Sequence, residues 1–124
     1  MSKRMLVVDD SKTMRNFLSI IAKECDFETD QAEDGVHALE VLEEKDAYDI
    51  ALVDWDMPRM NGLELVKQIR AHTEYDEMKM MMVTTHNAIE DVAEALNEGV
   101  NDFLMKPLTK EMLEDKLRLL GFEL

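Results

Sequence analysis

Residues 50–70 read IALVDWDMPRMNGLELVKQIR, and this stretch contains a strand, a loop and a helix in that order. The apolar run Ile50–Val53 stops at Asp54, which is typical of a strand buried on both faces of a parallel sheet. From Gly62 onward, apolar residues recur at the spacing of one helical face, at Leu63, Val66 and Ile69. A buried strand followed by an amphipathic helix is the repeating unit of α/β proteins.

The same alternation continues on both sides of this unit. Four further strands are predicted, at Met5–Val8, Phe27–Ala32, Met80–Val83 and Asp102–Met105. A helix is predicted after each strand, and the second helix covers Val36–Glu44. Five strands alternating with five helices require a parallel sheet, because each right-handed crossover helix returns the chain to the same edge and covers one face.

Helix boundaries are marked by capping residues. Ser11 and Thr109 are predicted N-caps of the first and last helices, and Gly99 is predicted to end the fourth. Asn87 and Glu90 fit a capping box at the start of that fourth helix. The apolar helix positions predicted to face the core are Met14, Phe17, Leu18, Ile21, Leu39, Leu42, Ile89, Val92, Leu96, Leu113, Leu117 and Leu120.

Composition excludes several classes of protein. The 124 residues carry 14 basic and 28 acidic side chains, a formal charge of −14, so direct nucleic-acid binding is not expected. The apolar runs are too short for a membrane helix and the N-terminus lacks a signal-peptide core, which predicts a cytoplasmic protein without membrane contact. Cys25 is the only cysteine, so neither an intrachain disulfide nor a cysteine-rich metal site is available.

Polar residues follow four of the five predicted strands directly. Asp9 and Asp10 end the first strand, Asp54 the third, Thr84 the fourth and Lys106 the fifth. Each residue alone is ordinary at a strand end that faces water. Together they are expected to meet, because ligands of open α/β sheets bind beyond the carboxyl ends of the strands.

Three carboxylates in one place require compensation. Two of them about 4 Å apart repel by roughly 4 kcal/mol at an effective dielectric near 20, and Lys106 neutralises only part of the charge. A divalent cation satisfies this requirement, and oxygen-only donors with open positions favour Mg²⁺ over Ca²⁺. With the Lys106 ammonium and the Thr84 hydroxyl, such a cation would bind phosphoryl oxygens, which predicts a phosphoryl-transfer site.

Four motifs, in this order, resemble the receiver domain of two-component response regulators. They are VVDD at 7–10, VDWDMPRMNG at 53–62, VTTH at 83–86 and FLMKP at 103–107. The resemblance spans essentially the whole chain and is strongest to the single-domain chemotaxis regulators. It implies a flavodoxin-like, doubly wound α/β fold with strand order 2-1-3-4-5 and five helices, and one receiver domain over residues 1–124.

The resemblance also implies residue roles. Asp54 would be the phosphoacceptor, and Mg²⁺ would be bound by Asp9, Asp10, Asp54 and the backbone carbonyl of Asp56. The phosphoryl group would contact Thr84, the Thr85 backbone and Lys106, and the Lys106–Pro107 peptide bond would be cis. Thr84 and Phe103 would form the switch that alters the surface of the fourth helix, fifth strand and fifth helix.

Four positions depart from the family pattern. Phe103 stands where the switch aromatic is often tyrosine, so it has no hydroxyl to donate. Thr85 replaces the usual alanine and adds bulk beside the site. Asp56 and His86 lie two residues after the acceptor and after Thr84, where they would flank the approach of water to a phosphoryl group.

The resemblance further implies partners. A CheA-like histidine kinase would supply the phosphoryl group, and a downstream protein such as a flagellar motor switch component would bind the modified form. The chain would be a signalling phosphoacceptor that assists its own phosphorylation and dephosphorylation, not a turnover enzyme. It would be monomeric, with dimerisation after phosphorylation also allowed.

Three alternatives remain open from the sequence. Asp54 and Asp56 also match the nucleophile and general acid of a haloacid-dehalogenase-like phosphatase. An FMN-binding flavodoxin is disfavoured because no phosphate-cradling Ser/Thr/Gly-rich loop follows the first strand. Because the chain ends soon after the last helix, we expect a stand-alone receiver, the alternative being a receiver fragment of a larger regulator.

Overall fold

The computed structural model describes residues 3–45 and 47–124. The strands are β1 (Lys3–Val8), β2 (Phe27–Ala32), β3 (Ile50–Asp54), β4 (Lys79–Thr84) and β5 (Asp102–Met105). The helices are α1 (Lys12–Glu24), α2 (Gly35–Glu44), α3 (Gly62–Arg70), α4 (Ile89–Glu98) and α5 (Lys110–Leu119). A short 3-10 helix at Thr73–Tyr75, which the sequence did not predict, lies between α3 and β4.

The five strands form one parallel sheet in the order β2-β1-β3-β4-β5. This confirms the predicted α/β class, the strand order and the five helices. β1 and β3 are neighbours at the centre, with Val8 paired to Val53. The residues that follow or end these two strands are therefore brought to the same edge of the sheet.

Alternate strand residues pack against helices on opposite faces. Met5 and Val7 of β1 belong to the core formed with α1 and α5, whereas Leu6 and Val8 belong to the core formed with α2, α3 and α4. All four side chains are almost completely buried. This explains why strands of such a sheet appear in the sequence as continuous apolar runs instead of alternating patterns.

Three of the predicted helix boundaries are confirmed. The Ser11 and Thr109 hydroxyls accept hydrogen bonds from Met14 N and Met112 N and cap α1 and α5. Gly99 ends α4 in the left-handed conformation with φ 114°, which glycine adopts without steric cost.

The predicted capping box of Asn87 and Glu90 is wrong. The helix begins one residue later, with Ala88 as N-cap and no side-chain hydrogen bond at the cap. Asp91 therefore occupies the third helical position that the box assigned to Glu90. Its carboxylate contacts the ring of His86 instead of a backbone amide at the helix start, so a tertiary contact replaces the local one.

Some apolar residues predicted to face the core are exposed. Ile89 is 82% exposed and Leu96 47%, while Ala95 is the buried residue of α4 and Val92 is half-buried. On α1, Phe17 is 38% exposed whereas Leu18 and Ile21 are buried. A helix that lies on a sheet buries only a narrow stripe, so apolar residues at its margins remain in contact with water.

The described helices are all short. Across residues 3–45 and 47–124, none has the length and apolarity that a bilayer crossing demands.

Candidate functional site

Three carboxylates meet at the carboxyl edge of the sheet. Asp9 and Asp10 follow β1, and Asp54 is the last residue of β3. One carboxylate oxygen from each lies within 4.8 Å of the others, an arrangement that can hold a metal ion. Asp9 and Asp54 are buried and Asp10 is exposed, so the cluster is open to solvent on one side.

Backbone and side-chain contacts fix the position of Asp9. Its amide donates to the Ala32 carbonyl at 3.1 Å, and its carboxylate Oδ1 accepts from Ser11 N at 2.8 Å. The guanidinium of Arg15 on α1 donates to the Asp9 carbonyl at 2.8 Å. The carboxylate is thus held in one orientation without a side-chain ion pair to Arg15.

Lys106 lies between two of the three carboxylates. Its Nζ is 3.2 Å from Asp54 Oδ1 and 3.4 Å from Asp9 Oδ2. Burial disfavours the charged ammonium, but the attraction of Asp54 and Asp9 outweighs it and raises the pKa of Lys106. The ammonium therefore remains charged, and the cluster retains an excess of negative charge when all three aspartates are ionised.

The surroundings of Asp54 raise the pKa of its carboxyl group. Burial and repulsion by Asp9 raise the pKa of Asp54 to about 6, against the opposing effect of Lys106, and Asp10 adds a smaller repulsion. A second cation would relieve the repulsion. The donor set consists of oxygen atoms alone, which suits a hard divalent ion.

Thr84 and Phe103 lie on the neighbouring strands. Thr84 is the buried last residue of β4, one position beyond the Val83 that pairs with Asp54. Its Oγ1 accepts from His86 N at 3.0 Å. Thr85 is exposed, and Phe103 is buried in the core beneath α4 on the strand that precedes Lys106.

The loop after β3 is packed closely on the backbone of Asp54. Gly62 N donates to Trp55 O at 2.7 Å, and a Cβ at Gly62 would lie 2.2 Å from the Asp54 carbonyl oxygen. Only glycine fits at the start of α3 with the loop in this position. The Lys106–Pro107 peptide bond, in the loop after β5, is cis.

His86 links three elements beside the site. Its ring stacks on the Trp55 indole, with the ring centroids 4.5 Å apart and an angle of 13° between the ring planes. Nε2 lies 3.0 Å from Asp56 Oδ2, and Nδ1 lies 3.2 Å from Asp91 Oδ2. The sequence placed Asp56 and His86 near the site, but nothing in the sequence pattern singled out Asp91.

The contacts of His86 give a testable pH dependence. Burial lowers its pKa, but hydrogen bonds to Asp91 and Asp56 outweigh this effect, so the pKa is raised above 6.5. The stabilisation by the protonated ring is therefore complete below about pH 6.5, the value in an unfolded chain, and is lost as pH rises through the folded value. Urea unfolding of the wild type and His86→Gln should differ more at pH 5.5 than at pH 8.5, with a change below about 1 kcal/mol because the pair is partly exposed.

His72→Gln serves as the control for that comparison. The His72 side chain is 58% exposed, and its Nδ1 lies 3.9 Å from Glu74 Oε1, a much weaker contact. Its substitution should change the free energy of unfolding less between the two pH values. An equal pH dependence for both variants would contradict the assignment to His86.

Comparisons with known proteins agree with this geometry. Residues 5–118 match the family model of the response regulator receiver domain. The chain is 41% identical over 115 residues to a chemotaxis protein CheY homolog of Campylobacter jejuni, covering 92% of this chain and 88% of that one. It is 40% identical to chemotaxis protein CheY1 of Helicobacter pylori, covering 92% and 93%.

Solved structures give the same result. The crystallised chemotaxis protein CheY4 of Vibrio cholerae superposes with a TM-score of 0.90 at 30% identity, covering 96% of this chain and 98% of that one. A CheY-like receiver domain from Methanospirillum hungatei superposes with a TM-score of 0.86 at 29% identity, covering 96% and 93%.

Proposed function

Because the chain belongs to the response regulator receiver domain family, we propose that Asp54 accepts a phosphoryl group from the phosphohistidine of a histidine kinase. The chain is a receiver of the CheY type, a signalling domain that is switched by phosphorylation. The observation that carries the proposal is the convergence of Asp9, Asp10 and Asp54 within 4.8 Å, with Lys106 bound to two of them. We propose that residues 1–124 act together as one receiver domain.

The acidic cluster is proposed to bind Mg²⁺. Asp9, Asp10, Asp54 and the backbone carbonyl of Asp56 would hold the ion, which would neutralise carboxylate charge and polarise phosphoryl oxygens. The all-oxygen donor set and the raised pKa of Asp54 support this assignment. Neither the phosphatase nor the FMN-binding alternative agrees with the family. In addition, the Asp56 carboxylate, which would be the general acid of the phosphatase, contacts His86.

The transfer proposed for Asp54 is an in-line displacement at phosphorus. One Asp54 oxygen attacks phosphorus, the P–N bond of the phosphohistidine breaks, and its electron pair leaves with the imidazole, which takes a proton from solvent. The Lys106 ammonium, which contacts Asp54, is proposed to bind the phosphoryl oxygens after the transfer. The Thr84 hydroxyl and the Thr85 amide are proposed to donate hydrogen bonds to the same oxygens. Return to the starting state needs water to attack phosphorus and break the bond to Asp54.

We propose that the target protein binds the surface formed by α4, β5 and α5. Thr84 and Phe103 would form the switch, and a cavity of about 380 Å³ is lined by Phe103, Met112 and Leu119 among other residues. The side chains of Ile89, Leu96 and Leu119 are exposed on these elements. An apolar surface of this kind suits a protein target.

The proposed partners follow from the family and the names of the relatives. They are a CheA-like histidine kinase and a target such as a flagellar motor switch component, with the chain in the cytoplasm. Relatives that are about 40% identical are named as chemotaxis proteins, which supports a role in chemotaxis.

Mass spectrometry tests the proposed function. Incubation with phosphoramidate or acetyl phosphate and Mg²⁺ should add one group of about 80 daltons, and excess EDTA should prevent the addition. Calorimetry on the same sample should detect Mg²⁺ binding. Absence of both the adduct and metal binding in the folded protein would refute the proposal.

A further inference from the structure

An ion pair outside the acidic cluster joins the loop after β3 to the start of α2. Arg59 Nε donates to Asp34 Oδ2 at 2.7 Å, and Arg59 Nη2 lies 2.7 Å from the same oxygen. The other Asp34 oxygen accepts from His37 N at 2.8 Å and caps α2. The Asp34 side chain is only 5% exposed, so this carboxylate depends on Arg59 for its charge compensation.

A second contact holds the loop after β3 against the start of α2. Met60 packs on Gly35 so closely that a Cβ at Gly35 would lie 2.8 Å from Met60 Cβ. Arg59 itself has φ 66°, a left-handed conformation that is unfavourable for a residue other than glycine. Such a conformation persists where surrounding contacts enforce it, and the ion pair and the Met60 contact supply them.

The start of α2 is in turn connected to the acidic cluster. Asp34 lies two residues beyond Ala32, whose carbonyl accepts the amide of Asp9 at 3.1 Å. The pair of Arg59 and Asp34 therefore ties the loop that contains Asp56 to the strand end that supports Asp9. The first loop contributes the proposed Asp56 carbonyl ligand, and the strand end supports the backbone of Asp9, another proposed ligand.

We propose that Arg59 is a positioning residue that, through Asp34, holds the loop of residues 55–61 so that the Asp56 carbonyl faces the metal. This inference rests on the proposed function, because it concerns the same metal site. Arg59 does not touch the carboxylate cluster in any described contact. It acts through the backbone of its loop.

The sign of the expected effect separates positioning from simple electrostatics. Arg59 is a positive charge near a site for a cation, so its removal alone would strengthen Mg²⁺ binding. If Arg59 positions a ligand, its removal weakens binding instead. Loss of a supporting contact behind a metal ligand typically lowers affinity by about tenfold or more.

Arg59→Asn is the informative variant, because asparagine tolerates a left-handed φ while the ion pair and the positive charge are both removed. Asp34→Asn is its counterpart, because asparagine can still cap α2. Each should weaken Mg²⁺ binding by about tenfold in calorimetry. The double variant should bind Mg²⁺ with the same affinity as the single variant of lower affinity, because both substitutions break the same ion pair. The phosphorylation rate should fall at low Mg²⁺ and recover at saturating Mg²⁺.

Arg118→Asn is the matched control. Arg118 is an exposed arginine of α5 that pairs with Glu114 and Asp115 of its own helix, so the same charge is removed without disturbing the loop. Its Mg²⁺ affinity should stay within about twofold of wild type. Arg59→Gly, which also accepts a left-handed φ and removes the ion pair, replaces Arg59→Asn if the latter does not fold, with the same expected loss of Mg²⁺ affinity.

A metal-free measurement keeps this inference distinct from the proposed function. Amide hydrogen exchange over residues 55–61 should be faster in Arg59→Asn than in the wild type without Mg²⁺. Unchanged exchange, or Mg²⁺ affinity equal to or above that of a metal-binding wild type, would overturn the role of Arg59 alone. Absence of Mg²⁺ binding by the wild type would overturn the proposed metal site and this role with it, and absence of the phosphoryl adduct as well would overturn the proposed function.

Discussion

Asp54→Asn is expected to abolish the adduct of about 80 daltons that the wild type forms with a small phosphodonor and Mg²⁺. The amide lacks the nucleophilic carboxylate oxygen, while its size and its place at the end of β3 stay the same. Intact-mass measurement after incubation with phosphoramidate checks this result. Asp76→Asn, an exposed aspartate beside the short 3-10 helix, is the control and should be modified like the wild type.

The same variant should also be more stable than the wild type without Mg²⁺. The pKa of Asp54 is about 6 in the folded protein, above the 3.8 of an unperturbed aspartate. Folding is therefore favoured by protonation of Asp54, and this advantage is lost as pH rises through about 6. At pH 8, Asp54→Asn should gain up to about 3 kcal/mol in free energy of unfolding, and the gain should shrink towards pH 4.

Two outcomes would contradict these expectations. An adduct that persists in Asp54→Asn would place the phosphoryl group on another residue. Equal urea midpoints for Asp54→Asn and the wild type at pH 8 without Mg²⁺ would show that burial and carboxylate repulsion do not disfavour the charged Asp54 as the geometry requires.

Gly62→Ala is expected to destabilise the protein by about 3 kcal/mol or more, the upper range for a side chain forced into a packed region. The added Cβ would meet the Asp54 carbonyl oxygen at 2.2 Å and the Trp55 Cα at 2.9 Å. These are backbone atoms of the acceptor strand and cannot move aside as a flexible side chain would. Urea denaturation monitored by circular dichroism measures the loss.

Gly121→Ala is the control for the loss of a glycine. Gly121 has φ 99°, but an added Cβ there has no neighbour within 4 Å. Its substitution should cost about 1 kcal/mol from the left-handed backbone alone. If Gly62→Ala costs no more than Gly121→Ala, the close approach of α3 to the acceptor strand is not what requires glycine at Gly62.

These two predictions differ in how far the sequence supports them. The carboxylate of Asp54 at the end of an apolar strand is visible in the sequence, and so is its place among Asp9, Asp10 and Lys106. The steric demand at Gly62 is not visible there. It arises because the third helix starts against the backbone of the strand that precedes it.

Local patterns failed where a tertiary contact competed with them. Asn87 and Glu90 have the spacing of a capping box, yet α4 starts at Ile89, and Asp91 binds His86. The stacking of His86 on Trp55 and the pair of Arg59 and Asp34 were also not predicted. Each joins residues of different elements, and only the packing of those elements sets their distance.

The succession of buried strands and amphipathic helices is predictable from the sequence, and so is a parallel sheet with Asp9, Asp10, Asp54, Thr84 and Lys106 at one edge. That much follows from hydrophobic periodicity and from the direction of parallel strands, which are local properties of the chain. The partners of His86, Arg59 and Gly62, in contrast, are set by the packing of the folded chain. Side-chain pairing across elements depends on angstrom-scale packing distances, and no local pattern encodes these.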